Sequence, residues 1–548
     1  MFEFYFSETL SINHVPGFHL LQDHVGTNYK KPWDDFNFII TFKLYYVEDN
    51  EKRNLGTLKV LSKKFENTST YFKENTSPTN EKIKSIKNCL TKDNVISLAE
   101  DIDFYKKLSV LFSEQEIENI LMTLCDAGYY YESYSEYSHW HGFSGSFMRG
   151  SASKAILKKG FQIALGRYIP KTKLNIGISK LGDTFDDVNI SFDTSRVIGK
   201  SNVNLIIGKN GTGKSHILKR LSEIIVGIVD GKDEQPYFHK LIVIAFSPFE
   251  SFYTKSQVFD ALSKKYSNDS IQTNKKSSSR KRLHINEYAY IGFRNDEGKH
   301  DLTHPIKQSI LSLLKIIDYD NENAWWELTP RLNTVIQTLS ICMDFDSIYV
   351  QDVNGDELEI TSNLNTTQVK KIINFNQDII FKKNDNVLSL SSGQKIYSYM
   401  IPAIIAELEE ESLLVLDEPE LYLHPELEVG LINMLQHILK STKSFSIIAT
   451  HSAILAREVE RNAVTILRKS HGRTEVNIAN IETYGESLDK IIAEVFDDDY
   501  IIKPYQVAIN KYLNANNTID ELKRYVGDDA LSYALSIAYN SDDMSVED

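Results

Sequence analysis

The stretch Asn204-Leu205-Ile206-Ile207-Gly208-Lys209-Asn210-Gly211-Thr212-Gly213-Lys214-Ser215 decides how the rest of the chain is read. It fits G-x-x-x-x-G-K-[ST], with an apolar strand pattern before it and helical spacing over 216–226 after it. Gly208, Gly211 and Gly213 let the chain turn tightly, so that the N–H groups of the loop, Asn210 and Thr212 included, converge on phosphate oxygens. A helix starting near Gly213 adds unpaired donors and a favourable dipole. Lys214 is placed to reach the β- and γ-phosphates, and the Ser215 hydroxyl to ligate Mg²⁺. The motif implies a nucleoside triphosphate site.

Three further motifs follow in order. Leu390-Ser391-Ser392-Gly393-Gln394 stands before an apolar helix over 396–408, where hydroxyls and N–H groups at a helix start can meet an anion. Ser412-Leu413-Leu414-Val415-Leu416-Asp417-Glu418-Pro419 reads as a buried strand ending in paired carboxylates. Asp417 at its tip suits Mg²⁺, and Glu418 is positioned to polarise an attacking water. Ser446-Ile447-Ile448-Ala449-Thr450-His451-Ser452 then brings His451 to a strand's carboxyl end, where open α/β sheets bind ligands. In that company His451 reads as a γ-phosphate sensor.

Between these motifs, Leu241–Phe246 is a continuous apolar run that predicts a strand buried on both faces and a βαβ unit with the phosphate loop. Residues 252–383 read as a mainly helical insertion, with helices over 306–318 and 323–345 and a hairpin over 347–361 turning at Asn354-Gly355. Within it Lys275, Lys276, Arg280, Lys281 and Arg282 crowd around three serines. Two readings stand for this cluster: contact with nucleic acid or an acidic partner, and a solvated loop. Residues 1–172 read as an α+β region: a hairpin over 36–61, a polar loop over 67–80, and helices over 95–105 and 114–127. His139 and His141 sit in a Tyr- and Trp-rich run, with no further residues at metal-ligand spacing. Residues 481–548 read as helices. Asp497-Asp498-Asp499 has no strand to mount it as a metal site, so it reads as solvated acid.

The 548 residues exceed one ordinary core, so several domains are expected. A composition of 42% hydrophobic and 25% charged residues is that of a globular protein, and the net charge of -14 argues against a general nucleic-acid coat. Three scattered cysteines make no disulfide framework, which suits a reducing compartment. No signal-peptide pattern and no membrane-spanning run are visible, so a cytoplasmic location is the expectation.

The ordered set resembles the ABC-type ATPase superfamily, in the soluble branch with SMC, RecF and OLD-like proteins. Gly208–Ser215 match Walker A, Leu390–Gln394 the signature, Asp417-Glu418 Walker B with its catalytic glutamate, and His451 the switch histidine. The Asp-Glu-Pro-Glu-Leu-Tyr-Leu-His-Pro form is similar to the OLD-like subgroup. The resemblance implies ATP and Mg²⁺ as ligands. It also implies a homodimer in which Ser391, Ser392, Gly393 and Gln394 act on nucleotide held by the other copy. One departure stands out: Ser247-Pro248-Phe249-Glu250 replaces a Q-loop glutamine, which implies slow turnover. Without coiled-coil arms or a C-terminal metal-binding nuclease domain, the architecture resembles the ATPase subunit of Septu-type (PtuA-like) antiphage systems, retron-associated versions included. That resemblance implies an HNH nuclease (PtuB-like) as partner, and in retron versions a reverse transcriptase with its RNA–DNA product. The alternatives are a RecF-like ATPase acting on DNA and a self-contained OLD-like nuclease. The expected fold is α/β: a P-loop ABC-type head with a mixed central sheet. Its expected parts are an N-terminal region (1–172), head segments 173–251 and 384–480 around the insertion 252–383, and a helical C-terminal region (481–548).

Overall fold

The computed structural model describes residues 2–76, 82–179, 181–196, 198–199, 202–230, 236–267, 286–327, 329–496, 503–515 and 518–543. The chain divides into two compact units, 1–485 and 486–548.

The first unit opens with β1 (Phe4–Ser7), β2 (Gly17–Gln22), β3 (Thr41–Glu48), β4 (Glu51–Ser62), α1 (Thr68–Asn75), β5 (Ile83–Ser85), β6 (Val95–Ala99), α2 (Asp103–Leu111), α3 (Glu114–Thr123) and α4 (Gly150–Ala164). The six strands form one sheet in the order β5-β1-β2-β3-β4-β6. β3 and β4 make a two-residue hairpin whose turn, Asp49-Asn50, takes positive φ at both positions (50° and 65°). Asp and Asn tolerate that conformation, which matches the twist of the flanking strands. Two expectations fail here. Val95–Ala99 is a strand rather than the start of a helix, and 68–75 is a helix rather than loop. The run Val-Ile-Ser-Leu-Ala is buried at every position, so it carries no alternation to mark it as a strand.

The nucleotide-binding part contains β7 (Lys173–Ile178), β8 (Val188–Asp193), β9 (Val203–Gly208), α5 (Lys214–Val226), β10 (Leu241–Ala245), α6 (Lys255–Ser267), β11 (Tyr288–Gly292), α7 (His304–Asn323), α8 (Arg331–Leu339), β12 (Ser347–Gln351), β13 (Glu357–Glu359), α9 (Thr366–Ile372), β14 (Ile380–Lys383) and β15 (Asn386–Val387). There follow α10 (Ser392–Glu407), β16 (Leu413–Asp417), α11 (Pro425–Thr442), β17 (Phe445–Thr450), α12 (Ala453–Arg457), β18 (Val464–Ser470) and β19 (Arg473–Ile478). Seven strands make the central sheet, in the order β11-β10-β16-β17-β9-β18-β19. Neighbours are parallel except β18 and β19, so the sheet is mixed. β9, β10, β16 and β17 are buried along their whole lengths, as a parallel sheet covered on both faces requires. α5 seals one face with Ile217, Leu218 and Leu221.

This topology changes two readings. β9 and β10 are parallel but not adjacent, because β17 and β16 lie between them. The segment 252–383 is not wholly an insertion: β11 pairs with β10 along Leu241–Ala245 and forms the sheet's edge. The same segment also supplies a separate four-stranded sheet, β13-β12-β14-β15, beside its helices. The basic cluster Lys275, Lys276, Arg280, Lys281 and Arg282 lies outside the described residues, as does Asp497-Asp498-Asp499.

Buried ion pairs fasten the N-terminal sheet to the strand starts of the central one. Arg149 donates to Asp35 (2.6 Å) and to Glu287 (2.9 Å), the residue before β11. Lys159 and Tyr168 both donate to Glu411, two residues before β16. The second unit contains α13 (Leu488–Phe496), α14 (Pro504–Asn514), α15 (Ile519–Leu522) and α16 (Asp528–Asp543), with Ile509, Leu522 and Ala534 at a small core. Among the described residues no helix is long and apolar enough to cross a membrane.

Candidate nucleotide site

The carboxyl ends of β9, β16 and β17 converge because these strands are successive neighbours in register, Asp417 lying beside Ala449 and Thr450 beside Ile207. The loop leaving β9 turns through Gly211 and Gly213, at φ 81° and 99°. A side chain on Gly213 would also collide with the Phe185 ring, 2.4 Å from where its Cβ would stand. Glycine is therefore required there twice over. Thr212 Oγ1 donates to Lys209 O (2.8 Å), and Thr474 from β19 donates to Thr212 O, so the loop is braced from outside. Asn210 and Gly211 are exposed at the loop tip.

Lys214 is buried, its Nζ donating to Gly208 O (3.0 Å) with Glu418 Oε1 at 3.7 Å. The ammonium is thus folded back over the loop, in reach of an anion entering it. Ser215 Oγ donates to Asp417 Oδ1 (2.9 Å). Burial pushes the Asp417 carboxyl up to about 7; the Ser215 hydrogen bond opposes the rise and the neighbouring Glu418 charge adds to it. A buried carboxylate with a hydroxyl beside it is half of an oxygen site for a hard cation, and substrate phosphates with water complete such sites. Ser215 and Asp417 therefore fit Mg²⁺. Among the described residues no group of three or more His, Cys, Asp or Glu forms a metal cage by itself.

Glu418 takes the left-handed conformation (φ 47°, ψ 53°) while its N–H still donates to Ala449 O (2.9 Å). That backbone conformation costs a non-glycine residue about 1–3 kcal/mol and is found where function demands it. Its side chain keeps partial exposure beside Lys214, where a water can stand.

His451 is half-exposed, and its Nδ1 lies 3.2 Å from Glu420 Oε1. The same oxygen accepts from Thr450 Oγ1 (2.6 Å) and from the His451 N–H (2.8 Å). Glu420 is the residue that motif reading passed over: a buried carboxylate, two positions beyond Glu418, that fixes the end of β17. Its signal was present in the quoted Asp-Glu-Pro-Glu stretch. Ser452, next in the chain, caps α12 through the N–H groups of Ile454 and Leu455 and donates to Glu428.

Ser391, Ser392, Gly393 and Gln394 do not join this cluster. Ser391 caps α10 in a capping box with Gln394: Ser391 Oγ accepts from Gln394 N–H, and Gln394 Oε1 accepts from Ser391 N–H. Ser391 and Ser392 face solvent, and among the described residues neither bonds to the phosphate loop or to Asp417 and Glu418. Gly393 packs under the turn after Glu418, with Tyr422 O 3.1 Å from where its Cβ would stand. Ser247–Glu250, at the end of β10, turns its carboxylate inward: Glu250 accepts from Tyr290 Oη (2.9 Å) and from the Phe252 N–H (2.7 Å). It offers the nucleotide edge no free Q-loop side chain.

Residues 203–457 match a family model described as "AAA domain, putative AbiEii toxin, Type IV TA system". Protein ea59 of Escherichia phage lambda is 24% identical over 490 residues, spanning 85% of this chain and 84% of that protein. Among solved structures, an ATP-binding cassette of an ABC transporter in its ADP conformation aligns at 14% identity and TM-score 0.28, covering 60% of this chain and 96% of its own. The SMC head domain from Thermotoga maritima aligns at 13% identity and TM-score 0.27, covering 57% of this chain and all of its own. Those scores add nothing to the strand order and the placement of Lys214, Ser215, Asp417 and Glu418. From β9 to α12 the chain is similar to that AAA-domain family, and its strand order, with Lys214, Ser215, Asp417 and Glu418 gathered at the strand ends, is that of a P-loop nucleotide-binding fold.

Proposed function

We propose that this chain hydrolyses ATP slowly and uses the bound nucleotide to join two copies of itself. The observation that carries this is the division of the machinery. Lys214, Ser215, Asp417 and Glu418 assemble within one chain, while Ser391 and Ser392 at the start of α10 stand apart from them and exposed to solvent.

In this reading Gly208–Ser215 wrap the phosphates, with Lys214 exchanging its bond to Gly208 O for a phosphate oxygen. Ser215 and Asp417 hold Mg²⁺, which when bound offsets charge on the phosphates. Glu418 accepts the proton of the attacking water, and His451, held by Glu420, donates toward the γ-phosphate. Ser391 and Gly393 of a second copy close over the same phosphate, supplying donors where charge develops.

The finer reading is a nucleotide-gated regulator of a separate HNH-type nuclease in an antiphage complex, in a retron version together with a reverse transcriptase and its RNA–DNA product. It rests on the resemblance of the motif set. The test is the purified chain alone. ATP-dependent self-association without cleavage of DNA or RNA supports the proposal. Metal-dependent cleavage by the lone chain overturns the regulator reading, and DNA-stimulated ATPase without self-association favours direct action on DNA.

A further inference from the structure

A cavity lies at the opposite, amino-terminal ends of the central strands β9 and β17. It has a volume of about 540 Å³ and is lined by Lys171, Asn202, Lys440, Lys443, Phe445 and Tyr484 among others, with no Asp or Glu among the described residues of its wall. This sets it apart in a chain of net charge -14. The cavity beside α7, by contrast, sets Lys255, Arg294, Lys307 and Lys315 against Asp296, Glu297, Asp301 and Glu407. Its cations are balanced in place.

Among the described residues neither Lys171 nor Lys440 has a carboxylate partner, and Lys443 only approaches Glu410 at 4.0 Å. Tyr484 presents a half-exposed ring, and Leu439 and Phe445 supply an apolar wall. Lys440 and Lys443 stand where α11 ends and so also complement its dipole. Lys171 belongs to the chain entering β7 and has no such duty. The cavity is several times larger than a bare phosphate needs and falls within the range of small-molecule sites.

We propose that this cavity binds a nucleoside phosphate: the three lysines hold the phosphate as point charges, and Tyr484 stacks on the base. Its position gives the site a consequence. Asn202 leads directly into β9, which ends in the phosphate loop, and Phe445 begins β17, which ends at Thr450 and His451. An occupant therefore touches the start of both strands whose far ends contact the ATP phosphates in the proposed mechanism, and would act as an effector of that site.

The test uses the full chain carrying Lys214→Ala, so that the phosphate loop no longer contributes binding. The four nucleoside 5′-monophosphates and inorganic phosphate are titrated calorimetrically, each to about 1 mM, a range in which weak sites still register. One monophosphate site per chain is expected, weakened at least about tenfold by Lys171→Glu or by Tyr484→Ala, with inorganic phosphate far weaker. Circular dichroism melting of Lys171→Glu should match that of its parent, because Lys171 is exposed and has no carboxylate partner among the described residues. Lack of binding by any monophosphate overturns the proposal. So does binding indifferent to Lys171→Glu, or inorganic phosphate binding as tightly as the nucleotides. A loss of stability in Lys440→Ala and Lys443→Ala without any ligand site would mean that those lysines only cap α11. None of these outcomes depends on the Lys214–Glu418 machinery, so failure here leaves the ATPase reading standing.

Discussion

At the scale of single residues, the site depends on side chains that cannot be exchanged for near relatives. Lys214→Ala removes the only buried ammonium in the described phosphate loop, and nucleotide affinity should fall at least about a hundredfold, as read by titration with a fluorescent ATP analogue. Glu418→Gln keeps the shape but cannot accept a proton. ATP should bind normally while hydrolysis drops by about 10²–10⁴. Glu420→Ala should slow turnover through His451, and Glu420→Gln should restore part of it, because an amide oxygen can still accept from Thr450 and the His451 N–H. Asp126 gives a pH prediction far from the nucleotide. Burial raises its carboxyl to about 6, opposed by bonds from Tyr105 and from the Tyr129 and Gly128 N–H groups. Since the folded value lies above the unfolded 3.8, the folded state binds more protons, and this contribution is full below about pH 4 and lost as pH rises through 6. Over that range the loss is about 3 kcal/mol. Asp126→Asn, with Tyr105 turning its hydroxyl from donor to acceptor, should gain thermal stability relative to the parent at pH 8 and show no gain at pH 4.

At the scale of elements, two features bear most of the load. The N-terminal sheet is tied to the central one through Arg149, buried between Asp35 and Glu287. Truncation takes two hydrogen bonds from buried carboxylates, Asp35 keeping Lys59 at 3.3 Å, and Arg149→Ala should lower stability by about 3 kcal/mol in urea unfolding. The start of α10 is the second. Ser391→Ala removes one cap, worth about 1 kcal/mol of helix stability, and should leave nucleotide binding intact while cutting hydrolysis about a hundredfold. Elements were legible in proportion to how local their signals are. The phosphate loop, the strand ending at Asp417 and the strand ending at Thr450 each announce themselves within a dozen residues, because turn glycines and apolar runs are short-range features. β6 and β11 do not. Both are five-residue runs buried at every position, without alternation, and their membership of a sheet depends on partners far away in the chain. Helix α1 was hidden because its polar face reads as loop, although Asn67 caps it by accepting from the Ser69 N–H. Glu420 was hidden differently. Its sequence neighbourhood was plain, but its partners, Thr450 and His451, meet it only through the pairing of β16 with β17.

At the scale of the whole molecule, the described residues gather Lys214, Ser215, Asp417 and Glu418 at one place and set a solvent-facing helix start, Ser391 and Ser392, apart from them. Neither alone makes a water-excluding pocket, and in the proposed function a second copy completes both sites at once. Light scattering on the Glu418→Gln chain, with and without saturating MgATP, tests this most directly. The account predicts one chain mass of 62.8 kDa without nucleotide and twice that mass, or a higher even multiple, with it. The dimer should disappear when Ser391→Ala is added. A chain that binds ATP stoichiometrically yet stays at 62.8 kDa at every protein concentration would contradict it.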